Sequence, residues 1–181
     1  EFSAWGVSPD LRLKPEIAAP GGEVFSSIPD GAYEQSSGTS MATPQMAGVS
    51  TIVLQRVQSD PLFASMSARQ KADVVQNLIM GTAHPLTDAA QTTGALYSPR
   101  KQGAGLVDAL AATTSSVYPT VVGAPEQSRP KADLGDGTKG WHFDVTLHNL
   151  SSVPATYELS SQALSEIVDG GFFTQHSSDW R

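Results

Sequence analysis

The sequence contains no cysteine, and this absence excludes two kinds of chemistry. Its 181 residues can form neither a disulfide bond nor a thiolate metal site. Positive charge is also scarce, because 11 Lys and Arg stand against 18 Asp and Glu, which gives a net charge of −7. A moderately acidic chain of this kind is not a nucleic-acid binder by electrostatics. No apolar run approaches the length of a membrane span.

The length is sufficient for one domain, or for one domain and part of a second. The first residue is Glu1 and not methionine, so we expect the sequence to be a piece of a longer protein. Helical patterning stops at Thr113, and the residues up to Pro119 read as a short linker. We therefore predict one domain over residues 1–113 and another over residues 114–181.

The most informative stretch is Gly38 to Gly48, which reads Gly-Thr-Ser-Met-Ala-Thr-Pro-Gln-Met-Ala-Gly. Apolar residues continue to about Gln58, which predicts a helix that is buried almost all round. Pro44 is tolerated only in a first turn, where backbone N–H groups lack intrahelical partners, so the helix should begin close to Ser40. A serine there lies beside free N–H groups and the positive end of the helix dipole, a place that stabilises an oxyanion.

Two interpretations fit this serine, an N-cap of a core helix and a catalytic nucleophile. The stretch resembles the nucleophile motif of subtilisin-like serine proteases (subtilases), Gly-Thr-Ser-Met-Ala-x-Pro-x-x-Ala-Gly, at every specified position. The resemblance implies that Ser40 is the nucleophile and that its backbone N–H forms part of the oxyanion hole. It further implies that Thr39 supports this hole and that Gly38 contributes to substrate binding.

Two segments before the serine extend the resemblance. Residues 1–6 read as a short strand that runs into a glycine turn, and residues 13–21 read as a short strand bounded by Pro15 and Pro20. Their residues, Phe-Ser-x-Trp-Gly and then Leu-Lys-Pro-x-Ile-x-Ala-Pro-Gly, resemble the segment just upstream of the serine in subtilases. The similarity is greatest to the group of cell-envelope proteinases and C5a peptidases.

A polar loop separates these segments from the motif. It contains a possible strand at Glu23 to Ile28 and a turn signature at residues 29–31. Tyr33 lies in this loop, a few residues before Ser40. Tyr33 either lines the leaving-group side of a substrate cleft or covers the start of the helix, and the sequence leaves both roles open.

Two further helices are predicted after the motif. The first runs from about Ala68 to Met80, with Ser67 and Gln70 as a capping box. Its apolar stripe at helical spacing consists of Val74, Val75, Leu78 and Ile79. The second is a short helix opened by the segment Gly103 to Leu110, which resembles the Gly-x-Gly-x-x-x-Ala segment that closes many subtilase domains.

The C-terminal part has strand patterning. Alternating apolar residues from Trp141 to Leu147 predict a half-buried strand, and a second such strand is predicted from Val153 to Leu159. A polar turn over residues 149–152 would join them as a hairpin. The position of this region after a subtilase domain resembles that of fibronectin type III-like domains, whose β-sandwich would be incomplete in the residues that remain.

The subtilase resemblance also shows what the chain lacks. In subtilases the catalytic order is Asp, His, Ser, with an oxyanion-stabilising Asn between His and Ser. Ser40 lies near the beginning and no asparagine precedes it, so the resemblance implies that all three groups lie upstream of Glu1. An α/β-hydrolase order, with the histidine after the serine, is the alternative among enzymes, but its Gly-x-Ser-x-Gly motif would need a glycine where Ala42 stands. The histidines that follow the serine are His84, His142, His148 and His176.

We therefore predict an α/β fold, the C-terminal part of a subtilisin-like parallel-sheet catalytic domain, followed by a partial all-β fibronectin type III-like sandwich. The resemblance implies a serine endopeptidase, secreted or attached to the cell wall, that acts on proteins or peptides. The upstream segment of the same protease would be its partner. No cofactor is expected to be required. The resemblance leaves calcium binding by the parent protease open, because many relatives bind calcium. The sequence contains no calcium-binding loop of the Asp-x-Asp-x-Asp-Gly form. The alternative from another class is a non-catalytic binding module of a cell-surface protein.

Overall fold

The computed structural model describes residues 3–6, 8–10, 12–87, 96–122, 129–134, 140–169 and 172–179, with the backbone alone from residue 165 onward. Its longest element is helix α1, Thr39–Ser59, which begins close to Ser40 as predicted, although Pro44 lies inside the helix and not in its first turn. Only Val53 and Val57 of this helix are buried, while Ile52 on another face is 53% exposed. The prediction of burial all round is wrong for this chain, because the described residues cover only one side of α1.

Helix α2, Ala68–Gly81, packs against the covered side of α1. Both halves of the predicted capping box are present, since the Ser67 hydroxyl accepts from the Gln70 N–H and the Gln70 side chain accepts from the Ser67 N–H. The predicted apolar stripe is buried, with Phe63 as the largest side chain beside it. The members of this core are Val53, Val57, Phe63, Val74, Val75, Leu78, Ile79, Ala112 and Tyr118.

Two short helices complete the helical part. Helix α3, Pro99–Gln102, was not predicted; the Ser98 hydroxyl accepts from the Arg100 N–H at its start. Helix α4, Ala109–Thr114, is the predicted short helix and is capped by Asp108, which accepts from the Ala111 N–H at 2.8 Å. In the described ranges, no helix has the length and apolar content to cross a membrane.

The N-terminal segments are less regular than predicted. Residues 3–6 form no strand, and the segment 13–21 contributes single bridges in place of a strand. Ala18 forms a parallel bridge with Leu106, which also pairs with His84. Prolines at both ends of this segment limit ladder hydrogen bonds, and this explains why pairing is confined to isolated residues.

A β-hairpin precedes the motif. Strand β1, Val24–Ile28, pairs antiparallel with β2, Ala32–Ser36, through a 3-10 turn at Pro29–Gly31. The predicted strand and turn are therefore confirmed, and β2 was not predicted. All residues of β2 are exposed.

The C-terminal strands pair differently from the prediction. Strand β3, Val117–Val122, pairs antiparallel with β4, Asp144–Asn149, so part of the predicted linker is a strand. Residues 154–160, where the second strand of the hairpin was expected, are irregular. The hairpin prediction is wrong because β-branched and aromatic residues of β3 supply the partner for β4, whereas Asn149 turns the chain by accepting from the Ser151 N–H.

The burial of β4 also differs from the prediction. Val145 and Leu147 are about half exposed, whereas His148 stacks on the buried ring of Tyr118 with centroids 4.5 Å apart. A second antiparallel pair follows, β5, Gln162–Asp169, with β6, Phe172–Asp179. Mixed helix and strand content fits an α/β subtilase portion. The sandwich and the division into two domains stay predictions.

Candidate active site

Ser40 is the second residue of α1 and is exposed. The carbonyl of Gly38 accepts from the N–H groups of Met41 at 3.0 Å and Ala42 at 3.4 Å, which forms the first turn. The N–H groups of Thr39 and Ser40 come before these and have no intrahelical acceptor, and no side chain caps the helix. The exposed hydroxyl and a free backbone donor therefore belong to the same residue, as an oxyanion site beside a nucleophile requires.

The loop before Ser40 is held by the segment that contains Pro20 and Gly21. The Gly38 N–H donates to the Gly21 carbonyl at 2.8 Å, and Gln45 Nε2 donates to the Pro20 carbonyl at 2.9 Å. The approach at Gly21 is so close that a Cβ atom there would lie 2.7 Å from the Gly38 carbonyl oxygen. Glycine is thus required at this position for steric reasons.

Pro44 lies beyond the first turn of α1, as the sixth residue of the helix. Pro44 has no N–H, so the carbonyl of Ser40 four residues earlier receives no helical hydrogen bond. The Thr43 hydroxyl donates to the preceding carbonyl, that of Thr39, at 2.8 Å. These features keep the turn that carries Ser40 helical while leaving its polar groups accessible.

Tyr33 lies on β2, six residues before α1 begins at Thr39. Its ring stacks on Phe25 of β1, with centroids 5.6 Å apart and an interplanar angle of 19°. Both side chains are well exposed, at 65% and 71%. Beneath the helix start lies a cavity of about 570 Å³ whose lining includes Gly21, Thr39 and Ala42.

Comparison with known proteins identifies the family. The family model described as "Subtilase family" matches residues 1–105 of the 181 in the chain. The chain belongs to the subtilase family. The resemblance seen in the motif is therefore confirmed.

The similar subtilases are much longer than this chain. It is 32% identical over 172 residues to a C5a peptidase of Streptococcus pyogenes serotype M1, which is 95% of this chain and 14% of that protein. It is 33% identical over 175 residues to a PII-type proteinase of Lactococcus lactis subsp. cremoris, which is 93% of this chain and 9% of that protein. A PI-type proteinase of the same organism matches equally well.

Two histidines of this subtilase chain have acidic neighbours. His84 Nε2 lies 2.8 Å from Asp108 Oδ2, a base–carboxylate pairing of the kind that a triad uses. The Ala111 N–H and then His84 hold the pKa of Asp108 below its ordinary value. Within the described ranges, however, no hydrogen bond joins His84 to Ser40, and Asp108 serves as the cap of α4. The other pair is His142 with Asp144, 3.4 Å apart and well exposed.

The remaining histidines are placed by strands. Thr120 Oγ1 lies 2.8 Å from His148 Nε2 and Tyr118 stacks on the ring, so one ring nitrogen and one face of that imidazole are occupied by β3 contacts. His176 lies on β6 opposite Ser165. Among the described residues, no group of three or more His, Asp or Glu side chains is arranged to hold a metal ion.

The sequence prediction missed a cluster of charges around Glu16. Its carboxylate contacts Lys14, Arg129 and Lys131, and it also accepts from Gln76. A proline-flanked acidic residue has no periodic signal, and two of its three cationic partners, Arg129 and Lys131, are more than a hundred residues away. The only sequence signal is that Glu16 and Lys14 are charged residues in the otherwise apolar segment 13–21.

Proposed function

We propose that this chain is the serine-bearing part of a serine endopeptidase that hydrolyses peptide bonds through an acyl-enzyme on Ser40. The observation that carries the proposal is the exposed Ser40 hydroxyl at the start of α1, beside the unpaired N–H of the same residue. Membership of the subtilase family and the similarity to named proteinases support it.

The residues of the chain have distinct roles in this reaction. Ser40 Oγ attacks the scissile carbonyl carbon, the C–O bond forms, and the carbonyl π electrons move onto the oxygen. The Ser40 N–H, reinforced by the positive end of the α1 dipole, donates to that oxyanion. Thr39 supports this turn, and Gly38 leaves the approach to the serine free of a side chain. The hydroxyl proton passes to a histidine, oriented by an aspartate, and both belong to the upstream part of the protease together with the oxyanion asparagine.

The substrate is a protein or peptide, and Tyr33 contacts its leaving-group side. The exposed stack of Tyr33 on Phe25 supports this placement, because a rigid apolar surface lies just before Ser40 in the chain. The whole protease is secreted or attached to the cell wall, and the residues after 113 begin a fibronectin type III-like sandwich. No cofactor is required for the reaction.

The chain by itself is inactive, because an unassisted serine hydroxyl is almost wholly protonated at neutral pH and is a poor nucleophile. The open side of α1 supports this view, since Ile52 and the residues around it lack a covering layer in the described structure. The upstream part of the protease would cover that side.

The experiment compares residues 1–181 alone with the same chain after addition of the upstream fragment. Casein hydrolysis and labelling by a fluorophosphonate probe are measured in both, each with a Ser40→Ala control. We expect both activities only in the presence of the upstream fragment and only with Ser40. Hydrolysis by the isolated chain that disappears in Ser40→Ala would contradict the missing-base part of the proposal. Absence of labelling in the reconstituted protein would favour the alternative, a non-catalytic binding module.

A further inference from the structure

Glu16 is the centre of a largely buried charge cluster outside the catalytic motif. Its side chain is only 15% exposed, and one carboxylate oxygen contacts Lys14 at 2.8 Å, Lys131 at 3.6 Å and the guanidinium of Arg129. The other oxygen accepts from Gln76 Nε2 of α2 at 3.0 Å. Burial opposes ionisation, but Lys14, Arg129 and Lys131 outweigh it and hold the pKa of Glu16 below its ordinary value. The carboxylate is therefore charged at neutral pH.

Two of the three cationic partners, Arg129 and Lys131, belong to a segment from far along the chain, residues 129–133. Lys131 Nζ also donates to the Leu13 carbonyl at 2.8 Å, and its side chain is 9% exposed. The Leu13 N–H donates to Asp133 Oδ1 at 3.1 Å. The carbonyl of Arg129 accepts from the Val121 N–H of β3 at 3.2 Å. Residues 129–133 thus connect β3 to the segment 13–21 through hydrogen bonds and ion pairs.

Backbone hydrogen bonds hold the stretch from Glu16 to Gly21 against residues 104–105 at one end and against the loop before Ser40 at the other. The Glu16 carbonyl accepts from the Ala104 N–H at 3.0 Å, and the Ala18 N–H donates to the Gly105 carbonyl at 2.8 Å. Three residues after Ala18, the Gly21 carbonyl accepts from Gly38, two residues before the serine. Each link is short and direct, so displacement of the segment 13–21 displaces the loop that carries the nucleophile.

We propose that Glu16, held by Arg129 and Lys131, is a positioning residue for Ser40. Residues 129–133 therefore contribute to catalysis, although they follow the catalytic motif in sequence. The kinetic consequence rests on the proposed protease function; the structural consequence does not. Removing one member of a buried ion cluster leaves the others uncompensated, which loosens the contact between the segments. A small displacement of a reacting group is sufficient to slow catalysis substantially.

The test uses the full-length protease that contains this chain, with Glu16→Gln and the matched control Asp73→Asn. Asp73→Asn also removes one negative charge, but the partner of Asp73 is Arg69, an exposed residue one turn away on the same helix α2. We expect amide hydrogen exchange at Gly38 to become about tenfold faster in Glu16→Gln, with exchange at Leu78 in the α2 core unchanged. We expect kcat to fall about tenfold, with KM within about twofold. The control should match wild type in all four quantities.

Arg129→Gln provides a second variant if Glu16→Gln does not fold, because it keeps the Lys14 and Lys131 contacts; a smaller change in the same direction is expected. Unchanged exchange at Gly38 would overturn the proposal. Equal acceleration at Gly38 and Leu78 would also overturn it, since Glu16 would then stabilise the whole fold without a positioning role. If wild type shows no turnover, the proposed function fails, and the exchange comparison alone decides the role of Glu16.

Discussion

The backbone N–H of Gly38 donates to the carbonyl of Gly21 at 2.8 Å, and this hydrogen bond joins the loop before Ser40 to the segment 13–21. The close approach requires glycine at position 21, because a Cβ there would lie 2.7 Å from the Gly38 carbonyl oxygen. It makes the geometry of the nucleophile depend on a segment that carries no catalytic group. The predictions below begin with this contact.

Gly21→Ala should displace the Gly38 loop, because the added Cβ would lie 2.7 Å from the Gly38 carbonyl oxygen. We expect a loss of about 1–3 kcal/mol in the free energy of unfolding, as for other overpacked sites. Gly22→Ala is the matched control, since its Cβ would meet no atom within 4 Å, and its effect should stay within about 0.5 kcal/mol. Denaturant unfolding of the two variants measures the difference. Equal effects would show that the contact does not constrain the loop.

Ser40→Ala should abolish turnover in the full-length protease while leaving the fold intact. An exposed hydroxyl at a helix start contributes little packing, whereas loss of a triad serine costs about 10⁶ in kcat in subtilisin. Steady-state kinetics and thermal unfolding measure the two quantities. Residual activity within tenfold of wild type would remove Ser40 from its role.

Oxidation of Met41 should inactivate the protease. Its side chain follows the nucleophile directly, and its sulfur would lie 3.7 Å from a Cβ placed on Gly38, so a polar sulfoxide would crowd the approach to Ser40. We expect hydrogen peroxide to inactivate wild type and Met41→Ala to resist. Peptide mass analysis reports which methionine is oxidised. Equal sensitivity of the two proteins would point to another residue, with Met46 next in order.

Asp108 should make α4 sensitive to acid. Hydrogen bonds from the Ala111 N–H and from His84 depress its folded pKa, so its contribution is present above the unfolded pKa and is lost as the pH falls through the folded value. Tm should therefore decrease as the pH is lowered below about 4. Asp108→Asn keeps a capping oxygen and should reduce this pH dependence, whereas Asp108→Ala should lower Tm more at neutral pH. Equal Tm values for Asn and Ala at neutral pH would show that the cap does not stabilise α4.

The sequence by itself determined the local features of this subtilase chain. Pro44 and the apolar run placed the start of α1 close to Ser40, although Pro44 itself lies beyond the first turn. The Ser67–Gln70 box fixed the start of α2, and the turn signature at residues 29–31 marked the end of β1. The motif around Ser40 identified the family without any tertiary information. These features depend on neighbours within a few residues, so the local spacing of residue types is sufficient to predict them.

Only the tertiary structure decided which surfaces and charges meet. Residues 46–54 of α1 are mostly apolar, yet which side of the helix is covered depends on elements distant in the chain. The partner of β4 is β3, because register and pairing are settled between strands and not within them. Glu16 met Arg129 and Lys131 across more than a hundred residues, and no periodic pattern predicts a contact of that range. Because these charged groups are largely buried, they interact with each other and not with water, and their burial depends on the whole fold.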